Sequence, residues 1–165
     1  MITIGVLSDT HLLEPDKKFK EKVQRCFADA DMILHAGDLT SLSVLDVFAG
    51  KTVHAVHGNM CGPKTRATLP ASKIIAVGNF QIALFHGAGY LHNTEERLFD
   101  AFGPLDCIVF GHTHKPVCHR HGPTLMVNPG SFTATGHYGS SGTYAIITVE
   151  QKSLEGRILS VGNVS

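Results

Sequence analysis

The chain has 165 residues, 14 basic and 14 acidic side chains and therefore no net charge, with 43% of its residues hydrophobic. That length suits one domain over residues 1–165 with a core of its own, and the composition excludes a disordered or fibrous chain. Balanced charge without a basic stripe argues against a nucleic-acid partner, and no apolar stretch reaches the length of a membrane span.

Eleven histidines beside no tryptophan are the compositional oddity, and histidine is the commonest metal ligand. Cys26, Cys61, Cys107 and Cys118 follow no C-x-x-C spacing, so neither a disulfide framework nor a zinc ribbon is expected. The N-terminus lacks the basic segment of a signal peptide, and a cytoplasmic location is expected.

A first strand is predicted over residues 2–7, an apolar run that stops at Ser8-Asp9-Thr10-His11. Asp and Ser favour turns and caps, so this Asp-x-His pair carries no chemistry by itself. Residues 17–29 place Phe19, Val23, Cys26 and Phe27 at helical spacing with lysines opposite. The next strand, 32–35, runs into Ala36-Gly37-Asp38. A helix over 41–49 follows, capped by Ser41 and closed by Gly50, and a third strand over 52–56 ends in His57-Gly58-Asn59. This alternation predicts βαβ units with the three strands parallel.

The rhythm then changes. Residues 73–77 and 81–85 read as a hairpin around Gly78-Asn79, and its second strand runs into His86-Gly87. Asn93 caps a predicted helix that ends at Phe102, carries Glu95 and Glu96 in its first turn and stops at Gly103-Pro104. The run Cys107-Ile108-Val109-Phe110 reads as a buried strand leading into Gly111-His112-Thr113-His114. Gly111 can leave the strand with an unusual φ and no Cβ in the way; if the segment stays extended, both histidines share one face. Residues 116–120 and 124–127 form a further hairpin, Asn128-Pro129-Gly130-Ser131 a loop, and 132–142 a Gly/Ser/Thr-rich stretch. Residues 143–149 and 154–161 close the chain as a hairpin.

Seven oxygen or nitrogen donors therefore leave five strand ends: Asp9, His11, Asp38, Asn59, His86, His112 and His114. Each alone has a structural explanation. Together they suit Mn²⁺, Fe²⁺, Zn²⁺ or Ni²⁺. Seven donors exceed one tetrahedral site and fit two metals sharing a bridging carboxylate, with positions left for water and substrate.

The order D-x-H, G-D, G-N, H-G, G-H-x-H resembles the calcineurin-like metallophosphoesterase superfamily. The small size and the N-P-G-S loop at 128–131 resemble its small YfcE-type phosphodiesterases. The resemblance implies an α/β fold, a four-layer αββα sandwich of two mixed sheets. It implies that Asp9, His11 and His114 hold one metal, that Asn59, His86 and His112 hold the other, and that Asp38 bridges them. It also implies in-line attack on a small phosphate ester by a hydroxide between two divalent ions, Mn²⁺ first and Ni²⁺, Fe²⁺ or Zn²⁺ otherwise. Asp38 and Asn59 are then the catalytic residues, and Asn59 with His137, which stands where relatives usually carry arginine, the substrate contacts.

One position departs from the family. Most members follow G-N with a histidine that protonates the leaving oxygen, whereas this chain has Met60 and then Cys61. Methionine donates no proton, so catalysis is expected to favour good leaving groups. Of the other histidines, His35 and His57 flank the donor loops as ligand supports or core residues, and His54, His92, His119 and His121 read as structural or solvated. Cys61 reads as a buried, inert thiol more readily than a reactive one.

Two other readings stand beside the enzyme. One is a scaffold without activity, resembling the small retromer subunit, which has lost ligands that this chain keeps. The other is a nuclease, disfavoured by the neutral charge. A homodimer is left open.

Overall fold

The computed structural model describes residues 1–90, 92–134 and 142–162. Its first sheet is built on β1 (Ile2–Leu7), which pairs in parallel with β2 (Met32–His35), and β2 in turn pairs in parallel with β3 (Thr52–Ala55). On the other side of β1 lie β9 (Thr143–Val149) and β10 (Leu154–Ser160), antiparallel to each other, giving the order β10-β9-β1-β2-β3.

The second sheet runs β4-β5-β6-β8-β7, from β4 (Ser72–Val77) and β5 (Phe80–Phe85) through β6 (Cys107–Val109) and β8 (Thr124–Asn128) to β7 (Val117–His121). β4 and β5 form the expected hairpin, as do β7 and β8, while β6 is parallel to both its neighbours. Both sheets are mixed.

Side-chain alternation along each strand stacks the layers. Ile4, Val6 and Leu34 of the first sheet join Ile82, Leu84, Val109 and Val127 of the second in one buried cluster between the sheets. The opposite face of the first sheet, with Ile33, packs on Phe19 and Val23 of α1 (Lys17–Cys26) and on Phe48 of a 3₁₀ helix (Leu42–Phe48). The outer face of the second sheet, with Ala83, Ile108 and Met126, packs on Leu98 of α3 (Thr94–Phe102). Helix, sheet, sheet, helix: the four-layer αββα order that the family resemblance implies is the order found.

Local differences have local causes. The helix expected over 41–49 is the 3₁₀ helix Leu42–Phe48, where Ser41 Oγ accepts from Ser43 N at 3.4 Å. Its Ser, Val and Asp are poor α-helix formers, and short 3₁₀ turns tolerate them. A helix α2 (Pro63–Thr68) went unpredicted because it is six residues long and buries only Thr65. Asn93 precedes α3 but sits at φ 52° with no side-chain capping bond. Among the described residues no helix is long and apolar enough to cross a membrane.

Candidate metal centre

The donor loops follow the carboxyl ends of β1, β2, β3, β5 and β6, so both sheets deliver side chains to one rim. Two sets of three donors result, Asp9 with His11 and His114, and Asp38 with His86 and His112. Within each set the ligand atoms lie within 4.8 Å of one another. Each set draws on both sheets. His114 Nε2 is 3.0 Å from Asp9 Oδ1 and 3.4 Å from His11 Nε2. In the second set His86 Nε2 is 3.1 Å from Asp38 Oδ2 and 3.1 Å from Asn59 Oδ1, which brings Asn59 to the same spot. The sets adjoin, since Asp9 Oδ1 is 4.0 Å from His86 Nε2.

The backbone at these donors is unusual. Asp9 (φ 53°), His11 (48°), Asp38 (53°), His112 (68°) and His114 (56°) all occupy the left-handed region, which non-glycine residues seldom adopt. Such conformations persist where the surroundings over-determine them. Here Asp9 N donates to Gly37 O and His11 N to Asp38 O, both at 3.0 Å, tying the loop after β1 to the loop after β2. The positive φ was expected at Gly111 and falls instead on the two histidines after it. His112 and His114 are therefore not an extended pair sharing one face; each joins a different donor set. What Gly111 supplies is space, because a Cβ there would lie 2.1 Å from Ser8 Oγ and 2.9 Å from Asp9 Oδ2.

Asp9 is fully buried, and burial raises its pKa. His11 and His114 at its carboxylate, the nearby His86 and the Ser8 hydroxyl at 2.6 Å more than offset this, holding the group well below the ordinary carboxylate range. Asp38, only 2% exposed, is pushed up by burial but held down overall by His86 and by Met60 N, which donates to Oδ1 at 2.7 Å. Burial lowers His86, yet Asp38 and Asp9, the two carboxylates it faces, leave its pKa net raised. Its Nδ1 donates to Ala36 O at 2.8 Å, which fixes the ring and aims Nε2 at the donors. Burial, followed by the charge of His86, holds His112 below its ordinary value, which favours the neutral form that can act as a ligand.

The remaining histidines separate. His35 is fully buried and both its ring nitrogens are engaged by neighbouring loops, so it is a core residue that also supports the site. His57 stays off the donor sets, and its Nδ1 has no hydrogen-bond partner among the described residues. His54 pairs with Lys73 at 2.9 Å, His119 with Glu95 at 2.8 Å, and His121 lies against Phe99. His92 is exposed. Cys61 is buried and its Sγ accepts from Gly58 N at 3.3 Å, a structural contact. His137 lies outside the described residues. The sequence reads Asn128 and Ser131 as a loop that carries a family resemblance, with no role at the site; Asn128 instead ends β8, and both are buried polar residues beside the donors.

Carboxylate, imidazole and amide donors converging from two sheets of an αββα sandwich define a candidate two-metal centre of the phosphoesterase kind. Residues 2–152 match the calcineurin-like phosphoesterase superfamily domain, and the chain belongs to that superfamily, whose members use divalent metals. A probable metallophosphoesterase of Methanothermobacter thermautotrophicus is 32% identical over 162 residues, 96% of this chain and 92% of that protein. A protein named as a phosphodiesterase from Methanocaldococcus jannaschii is 25% identical over 164 residues, 90% of this chain and 94% of its own length. Vps29 of Chaetomium thermophilum shares the fold, with a TM-score of 0.77 at 19% identity over 96% of this chain and 87% of that one.

Proposed function

We propose that this chain is a metal-dependent phosphodiesterase for small phosphate esters, acting at the rim formed by the two donor sets. One observation carries the reading: Asp38 Oδ2, Asn59 Oδ1 and Asp9 Oδ1 approach His86 Nε2 at 3.1, 3.1 and 4.0 Å, between two three-donor sets. Three oxygens converging on one imidazole nitrogen are a donor set that a divalent cation can take. The nitrogen and oxygen donors, with no thiolate among them, favour Mn²⁺, with Ni²⁺, Fe²⁺ or Zn²⁺ as alternatives.

Asp9, His11 and His114 would hold one ion, Asn59, His86 and His112 the other, and Asp38 would be shared. When bound, two such ions acidify a water and neutralise the phosphoryl oxygens during in-line displacement. Asp38, kept ionised by His86 and Met60 N, supplies the shared negative charge. Asn59 carries an amide NH₂ that can donate to a phosphoryl oxygen as charge builds there. Met60, beside it and 59% exposed, offers no proton to the leaving oxygen. Substrates with good leaving groups, such as aryl diesters, are therefore favoured. The relative named as a phosphodiesterase supports diesters over monoesters.

The test is a matrix of Mn²⁺, Ni²⁺, Zn²⁺ and Mg²⁺ against aryl diesters, cyclic diesters and monoesters, run on wild type and Asp38→Asn. Metal-dependent diester hydrolysis is expected, with at least about a hundredfold loss in the variant. Full activity in Asp38→Asn would remove Asp38 from the centre. Tight binding of ions with no turnover on any ester would favour a binding scaffold, as the fold shared with Vps29 allows.

A further inference from the structure

After β8 the chain crosses from the second sheet to the first, and its polar groups grip the donor loops on both sides. Asn128, fully buried, donates from Nδ2 to Gly111 O and to Thr113 Oγ1, each at 3.0 Å, so that it straddles His112. Its Oδ1 accepts from Gly130 N at 2.9 Å. Three residues further on, Ser131 Oγ donates to Asp9 O at 3.0 Å, Phe132 N to Ser8 O at 3.1 Å, and Thr133 Oγ1 to Thr10 O at 3.0 Å. Gly130 between them fills the seam: a Cβ there would lie 2.2 Å from Thr143 Oγ1 and 3.5 Å from His114 O.

The loops gripped in this way are those whose donors Asp9, His11, His112 and His114 sit in the left-handed region, and they need outside contacts to stay there. They are also the loops that must meet across the two sheets, since Asp9 and His114 share a donor set at 3.0 Å. We infer that Asn128 and Ser131 are positioning residues, a clasp that sets the pose of the His112–His114 loop against the Asp9–His11 loop and so tunes metal affinity. This rests on the metal-dependent reading above. Asn128 is the last residue of β8 and Ser131 lies beyond it, so a slack clasp loosens the donor loops at the end of the sheet, where the strand pairing stops.

The experiment compares wild type, Asn128→Ala and Ser131→Ala in the full chain, with Mn²⁺ as the probe. Calorimetric titration gives affinity and stoichiometry, and melting with and without Mn²⁺ gives the midpoint and the rise that metal causes. Both variants are expected to bind Mn²⁺ about tenfold or more weakly, the usual cost of removing a group that orients a ligand. The metal-induced rise should shrink accordingly. A merely structural role would lower the metal-free midpoint and leave Mn²⁺ affinity as it was, and that result overturns the clasp. Should Asn128→Ala fail to fold, Thr113→Val deletes the acceptor from the half-buried side of the same contact. Weaker Mn²⁺ binding there supports the clasp, and unchanged binding overturns it. If wild type itself binds no Mn²⁺, the metal reading falls and the clasp with it, an outcome distinct from unaffected variants of a metal-binding wild type.

Discussion

Met60 stands beside the donors, 59% exposed, while its N–H donates to Asp38 Oδ1 at 2.7 Å. The main chain there is thus tied to the site whatever side chain the position carries. An exposed residue can be replaced at little cost in stability. Met60→His would return to the rim a group that titrates near neutral pH and can protonate a leaving oxygen. The variant is expected to raise kcat/KM for alkyl diesters by up to about a hundredfold, the lower end of general-acid assistance. Aryl diesters, whose leaving groups depart without that proton, should gain little. The ratio of alkyl to aryl kcat/KM in the two proteins is the measurement, and an unchanged ratio would show that protonation of the leaving group does not limit turnover.

β2 is held at its end by its own following loop and by the loop after β1. His35, its last residue, accepts at Nδ1 from Gly37 N at 3.2 Å and donates from Nε2 to Thr10 Oγ1 at 3.1 Å. Burial, opposed only in part by the Asp9 carboxylate, pushes the ring from its ordinary value of 6.5 down to about 3. The folded ring stays neutral while the unfolded chain takes up a proton below pH 6.5. Its stabilisation is therefore whole above pH 6.5 and is lost as pH falls towards 3. Between pH 6.5 and 5 the loss amounts to about 2 kcal/mol. His35→Gln can accept and donate at the same two places without titrating, so its urea midpoints at pH 7 and pH 5 should lie closer together than those of wild type. Parallel midpoints in the two proteins would exclude His35 as the source.

The sequence marks His35 as a ligand support or a core residue without separating the two, and the clasp is hidden in it, whereas the strands are legible. Strands buried on both faces give unbroken apolar runs such as Met32-Ile33-Leu34, and a donor directly after each run exposed the regularity. The left-handed turn at His112 and His114 left no such mark, because it is imposed by contacts from Asn128 and Asp9, far away along the chain. Asn-Pro-Gly reads locally as a turn. Only the meeting of Ser131 with Asp9, 122 positions apart, turns it into part of a site.

For the molecule as a whole, the candidate centre is a joint between two sheets. Asp9, His11 and Asp38 arrive from the first, and His86, His112 and His114 from the second. Across the joint His114 Nε2 lies 3.0 Å from Asp9 Oδ1 and His86 Nε2 3.1 Å from Asp38 Oδ2. Ions bound at both donor sets would replace these contacts with stronger bonds from the same side chains. At a free Mn²⁺ concentration a hundredfold above Kd, one site adds about 2.7 kcal/mol to stability, and a chelator should reverse the gain. Global melting alone would not tell a joint from a site confined to one sheet, but hydrogen exchange does. On addition of Mn²⁺, amides at 9–11, 36–40 and 58–60 are expected to slow together with those at 86–87 and 111–114. β10, at the outer edge of the first sheet, should keep its rates. Protection confined to the loops of one sheet would mean that the metal does not link the two. The shared role of Asp38 would then have no basis, because a carboxylate can be shared only between ions held at the same rim.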